Sequence, residues 1–222
     1  MATLKEGKKM IQYVLWDFNG TLINDVDACL QNMNHLLRKY NKPTIDLKTY
    51  RSVFTFPVIE YYKNVGIIDT DEQFVAVAHE WMSGYYEMEN DLKVFDDTVE
   101  NLGTIKKMGL KQGVLSASNT KQLIRLLDKF DLSRYMDHIL GLDDIYAKGK
   151  VEIGLDFIHN HYLSPNEIVL IGDTIHDYEV ATKMGIQCIL FAGGHQSDRI
   201  LSRARCPVVE KIKDIFDHRL LS

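Results

Sequence analysis

Short apolar runs bounded by polar residues recur at Ile11 to Trp16, Gln112 to Leu115, His138 to Leu142, Ile168 to Ile171 and Gln187 to Phe191. None alternates cleanly between apolar and polar positions, which predicts strands covered on both faces rather than a half-exposed sheet. Helix-period segments lie between and beyond the later runs, at Asn119 to Phe130, Val151 to Tyr162, Ile175 to Met184, Ser197 to Ala204 and Lys211 to Leu220. Strand followed by helix, repeated, predicts an α/β fold built on a Rossmann-like, doubly wound parallel sheet.

From Asn24 to about Phe95 that rhythm breaks. Val26 to Tyr40, Val58 to Val65 and Asp71 to Met88 read as helices, and no strand is evident. Leu30, Met33, Asn34, Leu36, Leu37 and Tyr40 fall near the 3.6-residue period, so one face of the first helix is expected to be buried. Pro43 and Pro57 punctuate the stretch, and Asn41 to Ile45 reads as a helix-ending loop. Trp81, Tyr85, Tyr86 and Met88 share helical spacing and are expected in the core of this insert or where it meets the sheet. The expected division is an α/β core of residues 1–23 and 96–222 with a helical insert over 24–95.

Composition narrows the function classes. With 222 residues, 45% hydrophobic, 26% charged and only 4 Pro, the chain is expected to fold around its own core. A formal net charge of −5 lacks the basic footprint needed to hold phosphate backbones, so no nucleic-acid partner is expected. Cys29, Cys188 and Cys206 show no CxxC spacing, which favours a reducing, cytoplasmic setting over a disulfide or zinc framework. The apolar run Met10 to Trp16 meets Asp17 too early to be a signal or membrane segment.

Candidate chemistry gathers at the strand tips, where open parallel sheets bind ligands. The first run ends in Asp17-Phe18-Asn19-Gly20-Thr21. A carboxylate there can be a nucleophile, a metal ligand or a plain polar strand end. Gly20 permits close backbone approach, and Thr21 can donate to an oxyanion. A second tip, Ser116-Ala117-Ser118-Asn119, offers hydroxyls that either cap the next helix or hold a phosphate oxygen. A third, Gly172-Asp173-Thr174-Ile175-His176-Asp177, sets two carboxylates on one side of a starting helix. They suit a hard cation, or they complement the helix dipole. Lys148 and Lys150 stand just ahead of another helix.

In this order, Asp17-Phe18-Asn19-Gly20-Thr21, Ser116, a lysine near 150, and Gly172-Asp173 with Asp177 resemble the four successive motifs of the haloacid dehalogenase-like (HAD) superfamily. The resemblance runs from Val14 to about Gly194. The helical insert of about seventy residues resembles the cap of the phosphoglycolate phosphatase and β-phosphoglucomutase branch. It implies Asp17 as the nucleophile that forms an aspartyl-phosphate, and Ser116 with the adjoining Ala117 and Thr21 as phosphate-binding positions. Lys150, or Lys148 in the alternative register, would neutralise charge. Mg2+ would be held by Asp17, the backbone carbonyl of Asn19 and Asp173, with Asp177 in support. Arg51, Thr55, Phe56 and Tyr61 fall where relatives recognise substrate; Arg51 would pair a carboxylate or second phosphate, or else simply be solvated.

One position departs from the pattern. Family phosphatases carry Asp two residues after the nucleophile, as acid and base; this chain has Asn19. An amide orients water but exchanges no proton near neutral pH, and loss of general acid–base help typically costs about 10²- to 10⁴-fold in rate. Four accounts follow. The chain is a slow or selective phosphatase for leaving groups that need little protonation; Asn19 is engineered or deamidates to Asp; His176 or His195 supplies the proton; or the protein binds phosphate as a regulatory module. Dehalogenase and phosphomutase readings fit less well, since the motif frame points to phosphate and a mutase needs the missing acid. The expectation is a Mg2+-dependent phosphatase of a small phosphorylated metabolite.

Overall fold

The computed structural model describes residues 10–142, 149–217 and 221. The alternative lysine, Lys148, and the end of the Lys211 to Leu220 segment lie outside these residues. The strands in chain order are β1 (Tyr13–Trp16), β2 (Ile23–Asn24), β3 (Lys93–Val94), β4 (Lys111–Asn119), β5 (His138–Leu142), β6 (Ile168–Gly172), β7 (Gln187–Phe191) and β8 (Val208–Val209). The helices are α1 (Val26–Lys39), α2 (Leu47–Val53), α3 (Val58–Asn64), α4 (Phe74–Glu87), α5 (Thr98–Lys107), α6 (Thr120–Lys129), α7 (Lys150–Asn160), α8 (Ile175–Met184) and α9 (Asp198–Leu201).

Six strands form one parallel sheet in the order β5-β4-β1-β6-β7-β8. β1 and β6 are buried throughout, which is why their residues are apolar on both faces. Val14 and Trp16 face one apolar cluster and Tyr13 and Leu15 the other, following the two-residue period of a strand. The first cluster continues without a break into the helical segment through Met33, Leu36, Leu37, Tyr50 and Tyr61. Chain order reverses at β1, which lies between β4 and β6, so a crevice opens at the carboxyl ends of these three strands.

The helical segment leaves and re-enters the sheet domain at one place. β2 and β3 pair antiparallel there, Ile23 opposite Val94 and Asn24 opposite Lys93. This two-residue ribbon corrects the expectation of no strand between 24 and 95. Other differences have local causes. The stretch from Asp71 opens with a 3₁₀ turn over Asp71–Gln73 before α4 begins. α2 and α5 form where no helix is predicted, each contributing few apolar anchors: Tyr50 in α2, Leu102 and Ile105 in α5. β4 runs on to Asn119, whose side chain caps α6 by accepting from the Lys121 and Gln122 amides at 3.1 and 3.4 Å. The segment after Lys211 is a 3₁₀ turn over Ile212–Asp217.

Candidate active site

Each sheet edge places one part of the site. β1 ends at Trp16, so Asp17 projects from its carboxyl tip, and its amide still donates to the Ile171 carbonyl at 2.8 Å. β6 ends at Gly172 and delivers Asp173 beside it. Thr174 then caps α8, with Asp177 at the third helical position. Asp177 Oδ2 accepts from the Thr174 amide at 3.1 Å and its hydroxyl at 2.7 Å, a capping box. The capping and site readings of Asp177 hold together, because its other oxygen, Oδ1, accepts from Lys150 Nζ at 2.6 Å. Lys150, the first residue of α7, also reaches Asp17 Oδ1 at 2.7 Å.

Asp17, Asp173 and Asp177 bring carboxylate oxygens within 4.8 Å of one another. The Asp17 side chain remains 13% exposed and that of Asp177 only 2%, so it is Asp17 that opens to the crevice. Asp17 and Asp177 share one lysine, with Asp173 beside them, a formal charge of −2 if all three acids are ionised. Burial, then the neighbouring carboxylates, hold Asp17 and Asp173 above the usual carboxylate range, against the pull of Lys150 on Asp17 and of His195 on Asp173. Asp177, buried as well, is held below that range by Lys150. An excess of oxygen-donor charge is the chemistry that a hard divalent cation fits.

The phosphate-binding candidates divide. Ser116 is buried at the end of β4, its Oγ accepting from the Ser118 amide at 3.1 Å, while Ala117 is exposed. The pairing of β4 with β5 shifts register between Leu115 and Asn119, so this tip departs from the regular ladder. Thr21 is fully buried and gives its hydroxyl to Asp173 Oδ1 at 3.2 Å. Its hydroxyl therefore steadies an acid, a correction to the expectation that it donates to an oxyanion. Gly20 has φ +71°, and a Cβ there would overlap the Asp173 carboxylate and the His195 ring.

Asn19 is enclosed by Ser118, Tyr85 and Asp25, of which sequence reasoning gave no role to Asp25 and only a packing role to Tyr85. Its Nδ2 donates to Asp25 Oδ2 at 2.7 Å and to the Tyr85 hydroxyl at 2.9 Å, and its Oδ1 accepts from Ser118 Oγ at 3.1 Å. Asp25 precedes α1 but caps nothing; it accepts instead from the Gly20 amide at 2.9 Å and lies 3.2 Å from His195 Nε2. The other ring nitrogen of His195 pairs with the Tyr50 hydroxyl at 2.8 Å. With both nitrogens engaged and 4% exposure, His195 has no side-chain nitrogen left to serve the crevice, which removes it as the proton source. Burial opposes the charge on His195, yet Asp25 lifts its pKa to about 9; the same pair, with Asn19 and Tyr85, holds Asp25 below the usual range despite its burial.

Among the predicted recognition residues, Arg51 donates to the Gly193 carbonyl at 2.7 Å, and its buried Nε has no partner. Phe56 stacks on His176 with ring centroids 4.7 Å apart, joining the helical segment to the first turn of α8. Thr55 is half-buried beside it. Tyr61 is 2% exposed and packs against Tyr50 and Phe54, so it belongs to an aromatic core rather than to the crevice wall.

Residues 14–191 match the family model described as haloacid dehalogenase-like hydrolase. The chain belongs to this family. Phosphoglycolate phosphatase 1 of Pseudomonas aeruginosa is 21% identical over 94% of this chain and 79% of its own length. The phosphoglycolate phosphatase of Pseudomonas syringae pv. tomato is 23% identical over 86% and 73%. A haloacid dehalogenase-like family hydrolase from Streptococcus pneumoniae shares the fold, with TM-score 0.80 and 18% identity over 93% of this chain and 97% of that one. Among the described residues, no helix is long and apolar enough to cross a membrane.

Proposed function

We propose that this member of the haloacid dehalogenase-like family is a phosphatase of a small phosphorylated metabolite, working through an aspartyl-phosphate on Asp17. The observation that carries the reading is the pairing of a crevice-facing Asp17 with Lys150, beside two further buried carboxylates at the switch point of a parallel sheet. Residues 24–95 act as a cap over a core of residues 1–23 and 96–222.

An Asp17 oxygen attacks phosphorus in line, and the leaving oxygen departs with the electron pair of the broken P–O bond. Water then attacks the phosphorus of the acyl phosphate, the bond between Asp17 and phosphorus breaks with its electron pair returning to the carboxylate, and the water's proton leaves on the released phosphate. Lys150 fixes one Asp17 oxygen and offsets negative charge. Ser116 and the Ala117 backbone receive the phosphoryl oxygens. A Mg2+ held by Asp17, Asp173 and the Asn19 carbonyl, with Asp177 behind, would cancel the oxygen charge that otherwise repels a carboxylate from a phosphate dianion. Arg51, Thr55 and Phe56 line the specificity side of the cap, where Arg51 pairs an acidic group of the substrate.

With Asn19 in place of an acid, leaving groups that need no proton, such as acyl or aryl phosphates, are turned over faster than alkyl phosphates. The test is Mg2+-dependent phosphate release from acetyl phosphate and an aryl phosphate. Asp17→Asn should abolish it, and Asn19→Asp, which restores a proton-exchanging group, should gain alkyl-phosphate hydrolysis. If wild type and Asn19→Asp both bind phosphate and release none, the protein is a binding module and the proposal falls.

A further inference from the structure

We propose that Tyr85, on α4 of the cap, is a positioning residue that fixes the orientation of the Asn19 carboxamide and thereby couples the cap to hydrolysis of phosphorylated Asp17; this rests on the phosphatase reading above. An ionised carboxylate only accepts hydrogen bonds. The amide nitrogen of Asn19 must therefore face Asp25, 2.7 Å away, and its oxygen faces the Ser118 hydroxyl, 3.1 Å away at the carboxyl end of β4. Tyr85 closes the arrangement, accepting from Asn19 at 2.9 Å while donating to the same Asp25 oxygen at 2.8 Å. Its ring is held in turn by Trp81, stacked at 5.2 Å and 15°.

Among the described residues, the other partners of the Asn19 side chain and of the Asp25 carboxylate come from the sheet domain or from the chain between β1 and the end of α1: Gly20, Cys29, Ser118 and His195. Tyr85 is the contact that arrives from α4, across 66 residues of sequence. The orientation matters for one step. Water attacks through a lone pair, so an amide oxygen that accepts one of its hydrogens leaves that pair available. A flipped amide would donate an N–H to the lone pair and hinder attack. Attack of Asp17 on substrate uses no such water, so only the second step depends on the setting of Asn19.

The test uses the full chain with Mg2+ and acetyl phosphate, with rapid acid quench to measure phosphorylated Asp17 and released phosphate. Tyr85→Phe should leave the rate of Asp17 phosphorylation within about twofold and slow hydrolysis of the phosphoenzyme roughly tenfold, the scale of one lost hydrogen bond. In an Asn19→Ala background the same change should add nothing, because Tyr85 acts through Asn19. Equal slowing of both steps, or effects that multiply in the double variant, would overturn the proposal. A second readout does not depend on turnover: the Asn19 side-chain amide, assigned in ¹H–¹⁵N spectra by its loss in Asn19→Ala, should be protected from exchange in wild type and exchange about tenfold faster or more in Tyr85→Phe. Unchanged exchange refutes the hold of Tyr85 on Asn19 in an active or an inactive protein. If wild type forms no phosphoenzyme, the phosphatase reading falls, and the proposed coupling to hydrolysis falls with it.

Discussion

Two buried polar clusters meet behind Gly20, and they solve the problem of burial in opposite ways. Around Lys150, two carboxylates share one cation beside a third, Asp173, and the cluster keeps an unbalanced negative charge. Around Asp25, one carboxylate faces one histidine that is protonated at neutral pH, and both Asp25 oxygens accept hydrogen bonds from neighbouring donors. The two are joined by the His195 amide, which donates to Asp173 Oδ2 at 2.6 Å. A closed, balanced network rigidifies its surroundings. An unbalanced one that opens to a crevice is poised to take up a cation and a reagent. The contrast separates the groups proposed to react from those that hold them.

Neutralising one acid in each cluster should have opposite effects. Asp17→Asn should lower phosphate release by about 10³-fold or more, as loss of a nucleophile does. The same change should raise the melting temperature of the metal-free protein, because it removes one of three crowded charges. Asp25→Asn should do the reverse to stability, costing about 3 kcal/mol in urea unfolding by leaving His195 without its counterion. Equal signs for the two variants would erase the distinction.

The shape of the fold was largely open to reading, and the reasons differ by element. α8 forms over the predicted Ile175 to Met184 because a capping box starts it and Gly185, at φ +70°, stops it. β5 and β7 likewise keep the bounds of their apolar runs. β2 and β3 are two residues each, too short to carry a period, and α5 buries few apolar residues. Asp17, Asp173 and Asp177, with a lysine at 148 or 150, stood out in the sequence since each lies at a strand tip or helix start. Asp25 and Tyr85 did not: one looks like a helix cap, the other like an aromatic in a helical stripe, and their meeting at Asn19 is a product of tertiary packing.

A divalent cation sharpens the comparison at somewhat smaller scale. Mg2+ at one hundred times its dissociation constant should stabilise wild type by about 2.7 kcal/mol. Asp173→Asn should lose most of that increment in thermal melts, whereas Asp25→Asn should retain it. Loss of the increment in Asp25→Asn instead would merge the clusters into one site.

A pH series probes the Asp25 cluster without a metal or a first mutation. His195 has a folded pKa of about 9, above its ordinary value of 6.5, so its pairing with Asp25 is fully present below about pH 6.5 and fades as pH rises through about 9. The melting temperature should fall over that window, and His195→Gln should flatten the fall. A slope that survives the substitution assigns the drift to other groups.

Covalent trapping decides whether Asp17 carries the phosphoryl group. The protein, with Mg2+ and acetyl phosphate, is quenched in acid and the peptide containing Asp17 is analysed by mass spectrometry, with and without hydroxylamine. A hydroxylamine-labile phosphate on Asp17 should form and decay within the turnover time and be absent from Asp17→Asn. Phosphate released at the full rate with no label ever found on Asp17 would contradict that role.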